Sequence, residues 1–183
     1  MVGGTGDKQH LGGFTDIDMH GISPAVWKHV VANWTVQSVV DVGCGRGTST
    51  SWFVTHGLRT ECVEGSHDAL AQSMVPDPSI LTEHDFSRGP WWPAQTFDAV
   101  WSVEFLEHVG VPYHYNYMAT FRKAAILLVT SSRWGTLLCV RVCVCVCVQD
   151  CCSRIVFIFI IRMGRHIFHA ATTSLRTIQY TYI

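Results

Sequence analysis

From Ile22 onward the chain alternates short apolar, β-branched runs with stretches of helical periodicity. Ser23 can cap a helix, Pro24 suits its first turn, and Val26, Trp27, Val30 and Val31 share one helical face. The run Ser38-Val39-Val40-Asp41-Val42 stops at Gly43, as a buried parallel strand does before a tight turn. Residues 48–56 read as a helix closed by Gly57, residues 59–64 as a second strand, and Ser66 caps a further helix to about residue 74, before Pro76 and Pro78 break the chain.

The alternation continues with a third strand over residues 80–85, a Gly-Pro-Trp-Trp-Pro loop, a fourth strand over 97–103, a helix over 113–124 and an apolar fifth strand over 125–130. Five such units predict an α/β fold: a doubly wound, mostly parallel sheet with helices on both faces, spanning residues 22–135. Residues 1–21 are rich in Gly, Asp and Thr without periodicity and read as a mobile arm or a loop that covers a site.

Beyond Gly135 the pattern breaks. Val142-Cys143-Val144-Cys145-Val146-Cys147-Val148 repeats every two residues, which is what a GT dinucleotide repeat encodes, since GTG gives Val and TGT gives Cys. Residues 136–183 therefore read as an anomalous tail, translated from an intron or a wrong frame, leaving the final strands of the sheet missing or replaced. The competing reading is a genuine hairpin pairing residues 138–148 with 155–161.

A length of 183 residues suits one compact domain. The net charge of −1 and a charged fraction of 15% provide no basic stripe, so composition does not indicate a nucleic-acid partner. No secretory leader is legible, and the most apolar stretch, residues 155–161, is far short of the roughly 20 residues of a spanning helix. These features predict a reducing, cytoplasmic setting without membrane partners. Six of the eight cysteines fall within residues 139–152 at spacings that suit neither a disulfide framework nor zinc, so no metal is expected; Cys44 and Cys62 belong to the ordinary part of the chain.

Candidate chemistry is concentrated where the first strand meets its helix. In Asp41-Val42-Gly43-Cys44-Gly45-Arg46-Gly47-Thr48 the glycines allow close approach of the backbone to a ligand, and the helix N-terminus presents free N–H groups. A nicotinamide site would want a third glycine where Thr48 stands, which weighs against an oxidoreductase. An acidic residue ending the second strand, Glu64, can accept hydrogen bonds from ribose hydroxyls.

The segment DVGCGRGTST resembles the first motif of class I S-adenosylmethionine-dependent methyltransferases, and FDAVWSVEFLEHV resembles their fourth-strand motif. The style is similar to that of the type 11 group, over about residues 22–135. The resemblance implies S-adenosylmethionine as cofactor, with Asp41, Gly43, Cys44, Gly45 and Gly47 holding its amino-acid end, Glu64 its ribose, and Asp85 and Phe86 its adenine. Ser102, in the fourth-strand motif, joins the candidate contacts. Intact members resemble a seven-stranded sheet ending in an antiparallel hairpin beside the fifth strand, and the text matching that hairpin is absent here.

Methyl transfer from a sulfonium needs positioning and a dry site more than a protein nucleophile. His84, Glu104, Glu107 and His108 are candidate bases for an acceptor of unknown class; each also suits a capping or helix-face role. Trp91 and Trp92 could wall the cofactor or simply pack, and residues 113–117 could meet substrate or pack Tyr115 and Met118 onto the sheet. The leading expectation is a methyltransferase; a cofactor-binding regulatory module without turnover, or a non-functional product, are the alternatives.

Overall fold

The computed structural model describes residues 7, 9–11, 21–129, 140–146, 156–163, 166–172 and 179–182. Helix α1 (Pro24–Trp34) leads into β1 (Ser38–Val42), α2 (Thr48–Thr55), β2 (Arg59–Glu64), α3 (His67–Ala71), β3 (Leu81–Glu83), β4 (Phe97–Ser102), α4 (His114–Phe121) and β5 (Ala124–Val129). Five strands pair in parallel in the order β3-β2-β1-β4-β5. The expected doubly wound sheet is present, and its strand order reverses at β1, which lies between β2 and β4.

Every residue of β1 is buried, as a central strand covered on both faces requires. The pleat splits its neighbours between two cores. Val39, Ala99, Trp101 and Leu128 meet Trp27 and Val30 of α1 and Phe53 of α2. Val40, Val42, Val100 and Val129 meet Tyr117 and Phe121 of α4. Trp27 is the hub of the first core: its ring lies 5.3 Å from Trp52, 5.7 Å from Phe53 and 5.8 Å from Trp101.

At the amino edge of the sheet, one carboxylate oxygen of Asp98 accepts from the backbone N–H groups of Gln37 and Ser38 and from the Ser38 hydroxyl, each at 2.9 Å. The Ser38 hydroxyl in turn accepts from the Asp98 backbone N–H at 2.9 Å. This network fixes where β4 begins relative to β1.

Three elements are shorter than the sequence pattern suggests. Ser66 caps α3 by accepting from the Ala69 N–H at 3.0 Å, but the helix ends at Ala71 instead of continuing to about residue 74. The cause lies in the glycine turn: Arg46 Nε donates to the Gln72 carbonyl at 2.9 Å, and the Met74 N–H donates to the Arg46 carbonyl at 2.8 Å. β3 stops at Glu83, because Asp85 turns the chain by accepting from the Ser87 N–H at 2.8 Å. α4 ends at Phe121, and Tyr117, Thr120 and Phe121 are its buried residues. Tyr115 and Met118 are 85% and 40% exposed, so of the two alternatives for this segment the packing of these side chains onto the sheet does not hold.

Past β5 the described backbone forms β6 (Val140–Val146), β7 (Val156–Met163), β8 (His166–Thr172) and β9 (Gln179–Tyr182), each antiparallel to the strand before it. β6 and β7 pair from Val140↔Arg162 to Val146↔Val156, the hairpin weighed as the competing reading of the tail. β5 is therefore not an edge strand. Residues 1–6, 8 and 12–20 of the expected arm, and 130–135 of the expected domain, lie outside the described residues.

Candidate functional site

The carboxyl edge of β1, β2 and β4 opens into a cavity of about 640 Å³. Such an edge, beside a reversal of strand order, is where open α/β sheets place ligands. Its floor is the turn between β1 and α2. Gly43, Gly45 and Gly47 have φ of 74°, 55° and 80°, the left-handed region that favours glycine. A Cβ on Gly43 would lie 2.5 Å from the Phe105 ring, and one on Gly47 would lie 2.3 Å from Val75 Cγ2. A Cβ on Gly45 would meet nothing within 4 Å. Gly43 and Gly47 thus serve packing, whereas Gly45 keeps space open in the cavity wall.

Hydrogen bonds join this turn to the end of β2. The Gly43 N–H donates to the Val63 carbonyl at 2.9 Å, and the Gly45 N–H to Glu64 Oε2 at 2.8 Å. Glu64 Oε1 accepts from the Ser66 N–H at 2.9 Å. Burial raises the Glu64 carboxyl above the usual range, against the opposing effect of N–H groups from Ser66, Gly45 and Gly65. Each carboxylate oxygen has more than one acceptor site, so capacity remains for a ligand hydroxyl.

Asp41 lies beneath the turn at 1% exposure. Its Oδ2 accepts from the Ser49 hydroxyl at 2.5 Å and the Thr50 hydroxyl at 2.7 Å, which fastens the first turn of α2 to β1. Burial pushes its carboxyl up to about 6, although both hydroxyls pull the other way. Asp41 therefore braces the turn as well as lining the cavity.

The far wall comes from the residues after β3. Asp85 Oδ2 lies 3.0 Å from His10 Nε2 and 3.7 Å from Arg88 Nε. Burial works against the Asp85 charge, but hydrogen bonds from Ser87 and His10 outweigh it, and the carboxyl sits below the usual range. It thus fills the turn-capping role weighed for it while still lining the cavity. Phe86 is 4% exposed and meets His84 edge-on at 4.9 Å and Phe105 at 5.6 Å. His10 and Leu11, from the arm, also line the cavity.

Asp41, Gly43, Cys44, Gly45, Glu64, Asp85 and Phe86 share this one cavity, and so do His84, Glu104, Glu107 and His108. Two predicted contacts do not. Ser102 is fully buried and does not line it, because alternation along β4 sends Trp101 and Val103 there instead. Gly47 stands behind the wall as the N-cap of α2. Trp91 and Trp92 line a separate hollow with Arg59, Glu61 and Thr82, outside the cavity; Trp91 packs against the core beneath α4, and Trp92 is half exposed. Of the aromatic cluster after β4, Tyr113 reaches the cavity, Tyr117 packs in the core, and Asn116 Nδ2 donates to the Phe86 carbonyl at 2.5 Å.

Among the candidate bases, His84 Nε2 donates to the Gly89 carbonyl at 2.9 Å, which fixes the orientation of the ring. Glu104 follows β4 with φ 52°, a left-handed conformation for a non-glycine residue at the rim. Five carboxylates, Asp41, Glu64, Asp85, Glu104 and Glu107, line the cavity with a single arginine, Arg46. That balance suits a ligand carrying positive charge.

Sequence reasoning missed the pairing of Cys44 with Cys62, which form a disulfide with Cα atoms 5.9 Å apart. The register Asp41↔Cys62 sets Cys62 beside the end of β1, so the turn returns Cys44 to it. The signal was legible only after the strands were paired.

Residues 40–126 match the family model described as "Methyltransferase domain". No curated protein sequence matches the chain. Among solved structures, the chain is similar to S-adenosylmethionine-bound CalS10, an amino pentose methyltransferase from Micromonospora echinaspora involved in calicheamicin biosynthesis. That likeness has 18% identity and a TM-score of 0.53, covering 92% of this chain and 75% of that one. A putative methyltransferase from an antibiotic biosynthesis pathway of Anabaena variabilis matches at 15% identity and a TM-score of 0.48, covering 65% of this chain and 50% of that one. Among the described residues no helix is long and apolar enough to cross a membrane.

Proposed function

We propose, from the match of residues 40–126 to the methyltransferase domain model, that the chain binds S-adenosylmethionine in the cavity at the carboxyl edge of β1, β2 and β4 and transfers its methyl group to an acceptor. The observation that carries this reading is the Gly45–Glu64 hydrogen bond, which unites the glycine turn and the acidic strand end in one wall. The residues fit the cofactor chemically. Gly45 leaves open space in that wall, and the carboxylate-rich lining suits a ligand bearing a sulfonium and an ammonium.

In this reading Glu64 accepts from the ribose hydroxyls and Asp85, with the apolar face of Phe86, takes the adenine. The turn from Gly43 to Gly45, braced by Asp41, holds the amino-acid end. The bound cofactor supplies an electrophilic methyl group. The protein positions the acceptor and excludes water, the two factors that dominate an in-line displacement. Phe105, Val109 and Tyr113 form the apolar part of the acceptor side, with Glu104, Glu107 and His108 beside them. His84, which lines the cavity with its ring held by Gly89, is the candidate to take an acceptor proton.

The test is a calorimetric titration of the full chain with S-adenosylmethionine, with NADH as control and Glu64→Ala as variant. Saturable binding weakened by the variant is the expected result. A folded chain that does not bind S-adenosylmethionine overturns the reading, and binding with no methyl transfer across an acceptor screen would favour a regulatory module.

A further inference from the structure

We propose that the Cys44–Cys62 disulfide is a reversible oxidation site that couples the thiol redox state to ligand binding in the cavity; the coupling rests on the cofactor reading above. Cys44 lies in the ligand-facing turn and lines the cavity, while Cys62 is fully buried two residues before Glu64. The disulfide therefore joins the two parts of the wall that the same ligand would touch.

The pair can open and close without rebuilding the backbone. Hydrogen bonds from Gly43 to Val63 and from Gly45 to Glu64 flank the disulfide and hold the turn against β2 independently of it. The Cα separation of 5.9 Å is ordinary for a disulfide. Entry is one-sided, since only Cys44 faces the cavity.

Oxidation runs by exchange with a low-molecular-weight disulfide. The Cys44 thiolate attacks one sulfur of the oxidant, expels a thiol and forms a mixed disulfide. The Cys62 thiolate then attacks Cys44 Sγ and expels the second thiol. Two protein thiols lose two protons and two electrons, and the oxidant disulfide is reduced to two thiols.

Closed, the link makes the turn and the Glu64 end of β2 one constrained unit across a sequence separation of 18 residues. Opened, hydrogen bonds alone hold them. The oxidised form thus presents both walls already ordered and binds with a smaller ordering cost. By reciprocity, bound ligand protects the disulfide from reduction.

The experiment uses the full chain after treatment with oxidised glutathione or with a phosphine reductant. Each sample is titrated with S-adenosylmethionine and mapped by differential alkylation and peptide mass spectrometry. Mapping separates Cys44 and Cys62 from the six cysteines within residues 139–152. The expected result is protection of both cysteines only in the oxidised sample, with affinity falling about fivefold or more on reduction. A Cys44→Ser/Cys62→Ser double variant is expected to lose the redox dependence. Free Cys44 and Cys62 thiols after oxidation, or equal affinity in both states, overturn the proposal. Absence of binding in both states removes the cofactor reading and the coupling with it, while the mapping still decides whether the pair forms reversibly.

Discussion

The Gly45 N–H donates to Glu64 Oε2 at 2.8 Å, so the loop after the first strand and the end of the second are one hydrogen-bonded unit. Glu64→Ala leaves the Gly45 and Ser66 N–H groups without this acceptor. The expected cost is about 1–3 kcal/mol of stability, together with a loss of S-adenosylmethionine affinity of about tenfold or more, equivalent to at least ~1.4 kcal/mol. Thermal denaturation and calorimetry separate the two effects. Glu64→Gln, which keeps one acceptor oxygen, is expected to fall between wild type and Ala in both.

The glycines of the turn are expected to differ in what they lose. Gly43→Ala forces a methyl group into the Phe105 ring at a left-handed φ and should destabilise by about 2–4 kcal/mol. Gly45→Ala meets no atom and should cost only about 1 kcal/mol, yet weaken ligand binding because its methyl group intrudes on the wall. Denaturant unfolding beside titration measures the contrast; equal destabilisation would contradict the geometry.

Asp41 gives a pH dependence of definite sign. Its carboxyl is raised from 3.8 to about 6, so between those values the folded state holds a proton that the unfolded state has released. The associated stabilisation is complete below pH ~4 and disappears as pH rises through about 6, amounting to about 3 kcal/mol. Asp41→Asn, which can still accept from Ser49 and Thr50, should flatten that part of the profile. Unfolding free energies of both proteins across pH 4–7.5 provide the comparison. Cofactor affinity of the wild type should rise over the same interval, as the carboxylate ionises next to a cationic ligand.

Trp27 touches three other aromatic rings and is 2% exposed. Trp27→Ala should cost about 3–5 kcal/mol, whereas an exposed aromatic such as Tyr115 should tolerate Ala within about 0.5 kcal/mol. Chemical denaturation of the two variants tests the difference.

The parallel core was legible because its strands are short apolar runs, with β1 stopping at Gly43 and β2 lying between Gly57 and Gly65, and the five predicted strands agree with β1–β5 to within a few residues. What was not legible depended on neighbours distant in sequence. The helix after Ser66 has the composition to continue, but Arg46 binds its last carbonyl and Met74 returns to the glycine turn. Trp91 and Trp92 look equally suited to stacking on a ligand, yet their loop leaves the sheet on the side of Arg59 and Thr82. His10 carried no signal, because only the fold brings it within 3.0 Å of Asp85.

The Asp98 network at the amino edge gives the two ends of the sheet different tolerances to change. One carboxylate oxygen there gathers three donors from β1 and its approach, so replacing Asp98 would loosen strand alignment throughout the domain. At the opposite end Asp41 and Glu64 brace the glycine turn, whereas Glu104, Glu107 and His108 at the cavity follow the end of β4 and lie outside the strands. A lineage could therefore exchange residues at the cavity rim and acquire new acceptors while the scaffold stayed the same, provided the Asp98–Ser38 pair was kept.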